Sequence, residues 1–151
     1  MTRQQRYPNT KTFKFINVNP KGRITGDCVI RAIATATDTP YNEVVRLAAE
    51  TTIETGYFLD NRFTSEFLAR LGWVKCKQPR KADGTKYTGE QFCMAIQKYL
   101  KDGTPIVGAE RISDRMVASI GSHHEVAIVD GKVNDIWDST DGCIGNYWVK
   151  A

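Results

Sequence analysis

An Asp130-Gly131 pair between two alternating segments constrains the fold of this chain more than any other feature. Asp-Gly favours a two-residue hairpin turn because both positions tolerate positive φ, and so short a loop also fixes the strand register. Val129 then faces Lys132, His124 lies opposite position 137, and Asp135 lies opposite Val126. Along the first segment His124, Val126 and Ile128 share one face, while His123, Glu125, Ala127 and Val129 share the other. The returning segment runs from Lys132 to Asp138. Thr104 to Glu110, Arg115 to Ile120 and Tyr147 to Lys150 read as further strands, so the second half of the chain is expected to be an antiparallel sheet.

The first half carries the helical period instead. A helix is expected from Asp27 or Cys28 to Thr37, capped by Asp27, with Ile30, Ile33, Ala34 and Thr37 on one face. A second opens at Thr39-Pro40, with the stripe Tyr41, Val44, Val45 and Ala48, and fades toward Gly56. A third is capped by Thr64, with Phe63 and Leu68 as a hydrophobic staple and Gly72 as its stop. A fourth has a capping box at Thr88 and Gln91, a staple at Tyr87 and Phe92, and an end near Asp102-Gly103. Trp73 and Val74 suggest a short strand or apolar loop, and residues 75 to 86 a polar, basic loop. Helices first and sheet second make an α+β chain.

With 151 residues the chain is the size of one domain, 1–151, and it opens with an extended basic segment over residues 1–22. The net charge of +4 gathers there and in Lys75 to Lys86. Such segments allow weak contact with nucleic acid, though a solvated basic face is the plainer reading. Tyr7 and Phe13 interleave with the N-terminal basic residues, but no recognised nucleic-acid motif is present. No apolar run reaches the roughly 20 residues of a membrane span, and no secretory signal is visible, which points to a cytoplasmic protein away from membranes. Cys28, Cys76, Cys93 and Cys143 are scattered without metal-ligand or redox spacing, so free thiols, no metal and no cofactor are expected.

Among the four cysteines, Cys28 alone opens a helix. Unpaired N–H groups and the helix dipole favour a thiolate there, although Asp27 beside it opposes a second negative charge. Cys93 falls in the stripe of its helix, Cys76 among basic loop residues and Cys143 in a glycine-rich turn. The chain has two histidines, His123 and His124, and His124 is preferred as base because it stands at the mouth of an apolar face. A carboxylate is then needed to hold the imidazole in one tautomer and stabilise its protonated form. Asp138 is preferred, given a bend or bulge at the strand end. Asp135 remains the alternative because it has the parity of the His124 face. Trp137 reads as a packing residue that would also shield the His–Asp bond from water. The oxyanion donors expected are the Cys28 N–H and a polar group from Asn19 or Arg23.

Cysteine at the head of the first long helix, histidine opening a strand and an acid after the next strand resemble the papain-like cysteine peptidase superfamily. The segments Asn19 to Thr37 and His123 to Thr140 look like those of small papain-like proteins from phages and bacteria. The resemblance implies N-terminal helices packed on a C-terminal antiparallel sheet, with Cys28, His124 and Asp138 as nucleophile, base and orienter. The papain-type glutamine before the cysteine is absent, as is Asn-Ser-Trp, of which Asp135-Ile136-Trp137 is a loose echo. The expected function is a thiol hydrolase cleaving a peptide or isopeptide bond in a protein or peptide substrate. The alternatives are a thiol acyltransferase and a non-catalytic binding module on the same scaffold, such as a phage protein engaging a host factor.

Overall fold

A computed structural model describes residues 1–151. Asp130 and Gly131 both take positive φ, 52° and 73°, the conformation a two-residue turn requires. Strands β4 (His124–Val129) and β5 (Lys132–Asp135) accordingly pair antiparallel with Val129 opposite Lys132. Gly131 is also the only residue type that fits at the second position. A Cβ there would stand 2.5 Å from Gln97 Cγ and 3.0 Å from the Cys93 carbonyl oxygen.

Four further strands complete one sheet: β1 (Phe13–Phe15), β2 (Trp73–Cys76), β3 (Arg115–Ile120) and β6 (Ile144–Lys150), in the order β1-β5-β4-β3-β6-β2. The sheet is mixed, which corrects the purely antiparallel expectation. β1 runs parallel to β5, and the long connection between them carries every helix from Cys28 onward. Residues 1–22 are likewise not extended throughout. Arg3–Arg6 form a one-turn helix, α1, closed by a capping box between Thr2 and Gln5.

Helix α2 (Cys28–Thr37) lies across β4 and β3, with α3 (Tyr41–Thr55) and α4 (Asn61–Arg70) on the same side. Their core includes Ile33, Val44, Phe63, Phe67, Leu68, Ala127 and Trp148, all nearly or fully enclosed. Helix α5 (Gly89–Asp102) covers the opposite side, where Phe92, Ile96, Met116, Ile128, Val133 and Tyr147 meet Phe13. Alternation along each strand therefore feeds two cores, as period-two patterning requires of a sheet covered on both faces.

Local signals explain the helix ends. Thr88 and Gln91 form the expected capping box, and the Tyr87 and Phe92 rings meet at 5.7 Å. The start of α4 needs correcting. Asp60 is its cap, accepting from the Phe63 N–H at 2.9 Å, whereas Thr64 is buried inside the helix and donates to the Asp60 carbonyl. In α3 the buried residues are Val44, Ala48 and Thr51, and Val45 points outward. Residues 104–110 form turns instead of a strand. Pro105 has no N–H to give a ladder, and Gly108 packs so closely on Arg80 that a Cβ would meet its carbonyl oxygen at 1.9 Å.

Candidate active site

Position 28 is the first residue of α2, and no side chain caps that helix. Asp27 stands at the cap position, yet its carboxylate turns elsewhere. Oδ1 accepts from Arg31 Nε at 2.8 Å, while Oδ2 accepts from the Tyr41 hydroxyl at 2.8 Å and from Asn19 Nδ2 at 3.1 Å. The N–H groups of the first turn are thereby left without a side-chain acceptor, beside a half-buried thiol.

His124 opens β4 in the phase of Val126 and Ile128, and Asp135 closes β5 in the phase of Val133. The two stand at strand ends, where the ladder stops, and His124 Nε2 meets Asp135 Oδ2 at 2.6 Å. The carboxylate that reaches the imidazole is thus Asp135 and not the preferred Asp138. Asp138 is held by the turn that leads to β6, accepting from the Thr140 N–H at 3.0 Å and the Thr140 hydroxyl at 2.6 Å. No bend of the strand end brings it back, because this short side-chain-to-backbone turn is satisfied locally.

With Nε2 committed to Asp135, Nδ1 is the ring nitrogen left to act on the neighbouring Cys28 thiol. Burial by itself would push the thiol up. The His124 hydrogen bond, a second from the Glu125 backbone N–H, and the charges of His124 and Arg31 outweigh it and hold the thiol below its ordinary value. Burial would in turn lower the imidazole, but the Asp135 and Cys28 contacts prevail and raise it to about 9. Both directions favour a thiolate–imidazolium pair. The Trp137 ring lies 5.0 Å from the His124 ring and is itself half-buried. His123 is exposed, with φ at 59°.

Arg31 is the residue that sequence reasoning missed. It is buried one turn after Cys28 and links two buried carboxylates, Asp27 through Nε and Asp135 through Nη1 at 2.5 Å. Two carboxylates and one guanidinium enclosed together are tolerable only because each is hydrogen-bonded to the next. A signal was present in the sequence. An arginine within an apolar helical run, four residues after an aspartate, needs an ionic partner.

Neither of the expected oxyanion side chains lines the cavity beside Cys28. Asn19 is engaged with Asp27, and Arg23 lies exposed in the Asn19–Thr25 loop. Backbone N–H groups at the head of α2, which no side chain caps, are able to meet a charged oxygen there. The other thiols differ in character. Burial pushes Cys93 up to about 12 and also raises Cys76, while Cys143 is exposed.

Compared with known proteins, the chain matches no family model, no curated protein and no solved structure. No helix is long and apolar enough to cross a membrane. The fold and site define an α+β protein with a mixed sheet, at one end of which a cysteine, a histidine and an aspartate converge.

Proposed function

We propose that this chain is a papain-like cysteine-nucleophile hydrolase acting on a peptide or isopeptide bond of a protein or peptide substrate. The observation that carries the reading is the convergence of a half-buried Cys28 thiol at the head of α2 with a His124 imidazole bonded to Asp135, itself anchored by Arg31. The Cys28 thiolate attacks the carbonyl carbon, and the carbonyl oxygen takes up the negative charge against the N–H groups of the α2 first turn. The His124 imidazolium gives its proton to the leaving nitrogen, the C–N bond breaks and a thioester remains. Neutral His124 then takes a proton from water as the hydroxide oxygen attacks the thioester. The acid departs and the thiolate is restored. An amine in place of water would make the same site an acyltransferase. Four free thiols suit the reducing cytoplasm in which we place the protein.

The test is alkylation by iodoacetamide near pH 6. Cys28 is expected to react stoichiometrically ahead of Cys76, Cys93 and Cys143, and this labelling disappears in Cys28→Ala. Slow, uniform labelling of all four would overturn the reading and favour a binding module on the same scaffold.

A further inference from the structure

The site just described leaves Glu125 unused. This residue follows His124 on β4, in the phase of Ala127, and is 6 % exposed. Its Oε1 accepts from the Ser119 hydroxyl at 3.1 Å, while Oε2 is enclosed with no hydrogen-bond partner. A buried carboxylate oxygen without a donor is costly and uncommon in folded proteins. Glu125 also lines the same cavity as Cys28, a space of about 440 Å³. Asp60 adds a second carboxylate to the lining, and the cavity's single guanidinium, Arg62, lies over the Tyr57 ring, 5.7 Å from its centroid. The ionisable lining of the cavity beside the thiol is thus Asp60 and Glu125 on one side of the balance and Arg62, already stacked on Tyr57, with His123 on the other.

We propose that this cavity receives a basic side chain, lysine or arginine, borne by the acyl part of the substrate, and that Glu125 is the carboxylate that selects it. The proposal rests on the reading of Cys28 as the nucleophile. The last torsion of a glutamate is soft, so a carboxylate oxygen can turn to an incoming ammonium or guanidinium without rebuilding the strand. A cation there supplies the missing donor and a compensating charge together. Burial pushes the Glu125 carboxyl up to about 7, against the opposing Ser119 hydrogen bond and the charges of His124 and Lys75. An arriving cation would draw it back to the ionised form. An acidic side chain would face two carboxylates, and an aliphatic one would leave Oε2 unpaired.

The test uses chloromethyl ketones carrying a lysine, a norleucine or a glutamate side chain. Each alkylates Cys28 as a carbon–sulfur bond forms and chloride leaves. The lysine reagent is expected to react about tenfold or more faster than its neutral norleucine counterpart, and the glutamate reagent slowest. In Glu125→Gln the lysine-to-norleucine ratio falls toward one. Because the ratio is measured within each protein, a loss of folded material cannot mimic that change. Equal rates in the wild-type protein, or a preference that survives in Glu125→Gln, would overturn the proposal while leaving the nucleophile intact. Should Cys28 prove inert to iodoacetamide as well, the nucleophile reading fails separately and the cavity is judged by NMR on Cys28→Ser protein. Shifts at Glu125 caused by Nα-acetyl-lysine methylamide, but not by its norleucine analogue, support the proposal. Equal responses to the two overturn it.

Discussion

At the scale of single residues, the site turns on which carboxylate holds His124. Asp135→Asn is expected to slow alkylation of Cys28 near pH 6 by about tenfold or more, since each unit by which the thiol rises removes about nine-tenths of its thiolate. Asp138→Asn, which alters only the Thr140 turn, should leave that rate within about twofold, as timed labelling and mass spectrometry would show. The parity of β5 already pointed to Asp135. Asp138 looked better because it is nearer to position 137 in the chain, and nothing in the sequence revealed that Thr140 would take it. Glu125 carries a pH signature of its own. Its carboxyl rises to about 7 on folding, so its contribution to stability is full below about pH 4.5 and is lost as pH climbs through 7. Urea unfolding should show this fall, of order 2–3 kcal/mol, in the wild-type protein and its absence in Glu125→Gln.

Individual elements were legible where the signal was local. The Asp130-Gly131 turn, the Thr88 box and the run from Cys28 to Thr37 rest on residues within a few positions of one another. Those readings match the structure. The residues 104–110 misled because an apolar run can as well pack as turns, and what settles the matter is the distant backbone of Arg80. Asp27 misled for a similar reason. It has the chemistry of a cap, but Arg31, Tyr41 and Asn19 compete for its oxygens. The hairpin gives the sharpest test at this scale. Gly131→Ala places a side chain at positive φ and against Gln97, so it should destabilise the protein by about 2 kcal/mol or more in urea. It should also slow Cys28 alkylation, because that register brings His124 and Asp135 together.

For the whole molecule, the least legible feature was the parallel edge strand. A three-residue strand carries almost no periodic signal, and its partner is more than a hundred residues away in sequence. Even so, β1 matters to the site. The Ile16 N–H donates to the Asp135 carbonyl at 2.9 Å, and Arg3 Nε donates to the Ile136 carbonyl at 2.6 Å. Phe13 is fully enclosed beneath this strand, so Phe13→Ala should cost about 3–5 kcal/mol, measured as a lowered urea midpoint. A polypeptide substrate of the proposed hydrolase would meet two short rims of the sheet. β1 is three residues long and β2 four, and each carries an outward lysine, Lys14 and Lys75. Rims this brief and this charged give a passing chain little template for zipping on as a seventh strand. A polypeptide client would have to be gripped by its side groups in the hollow above the sulfur.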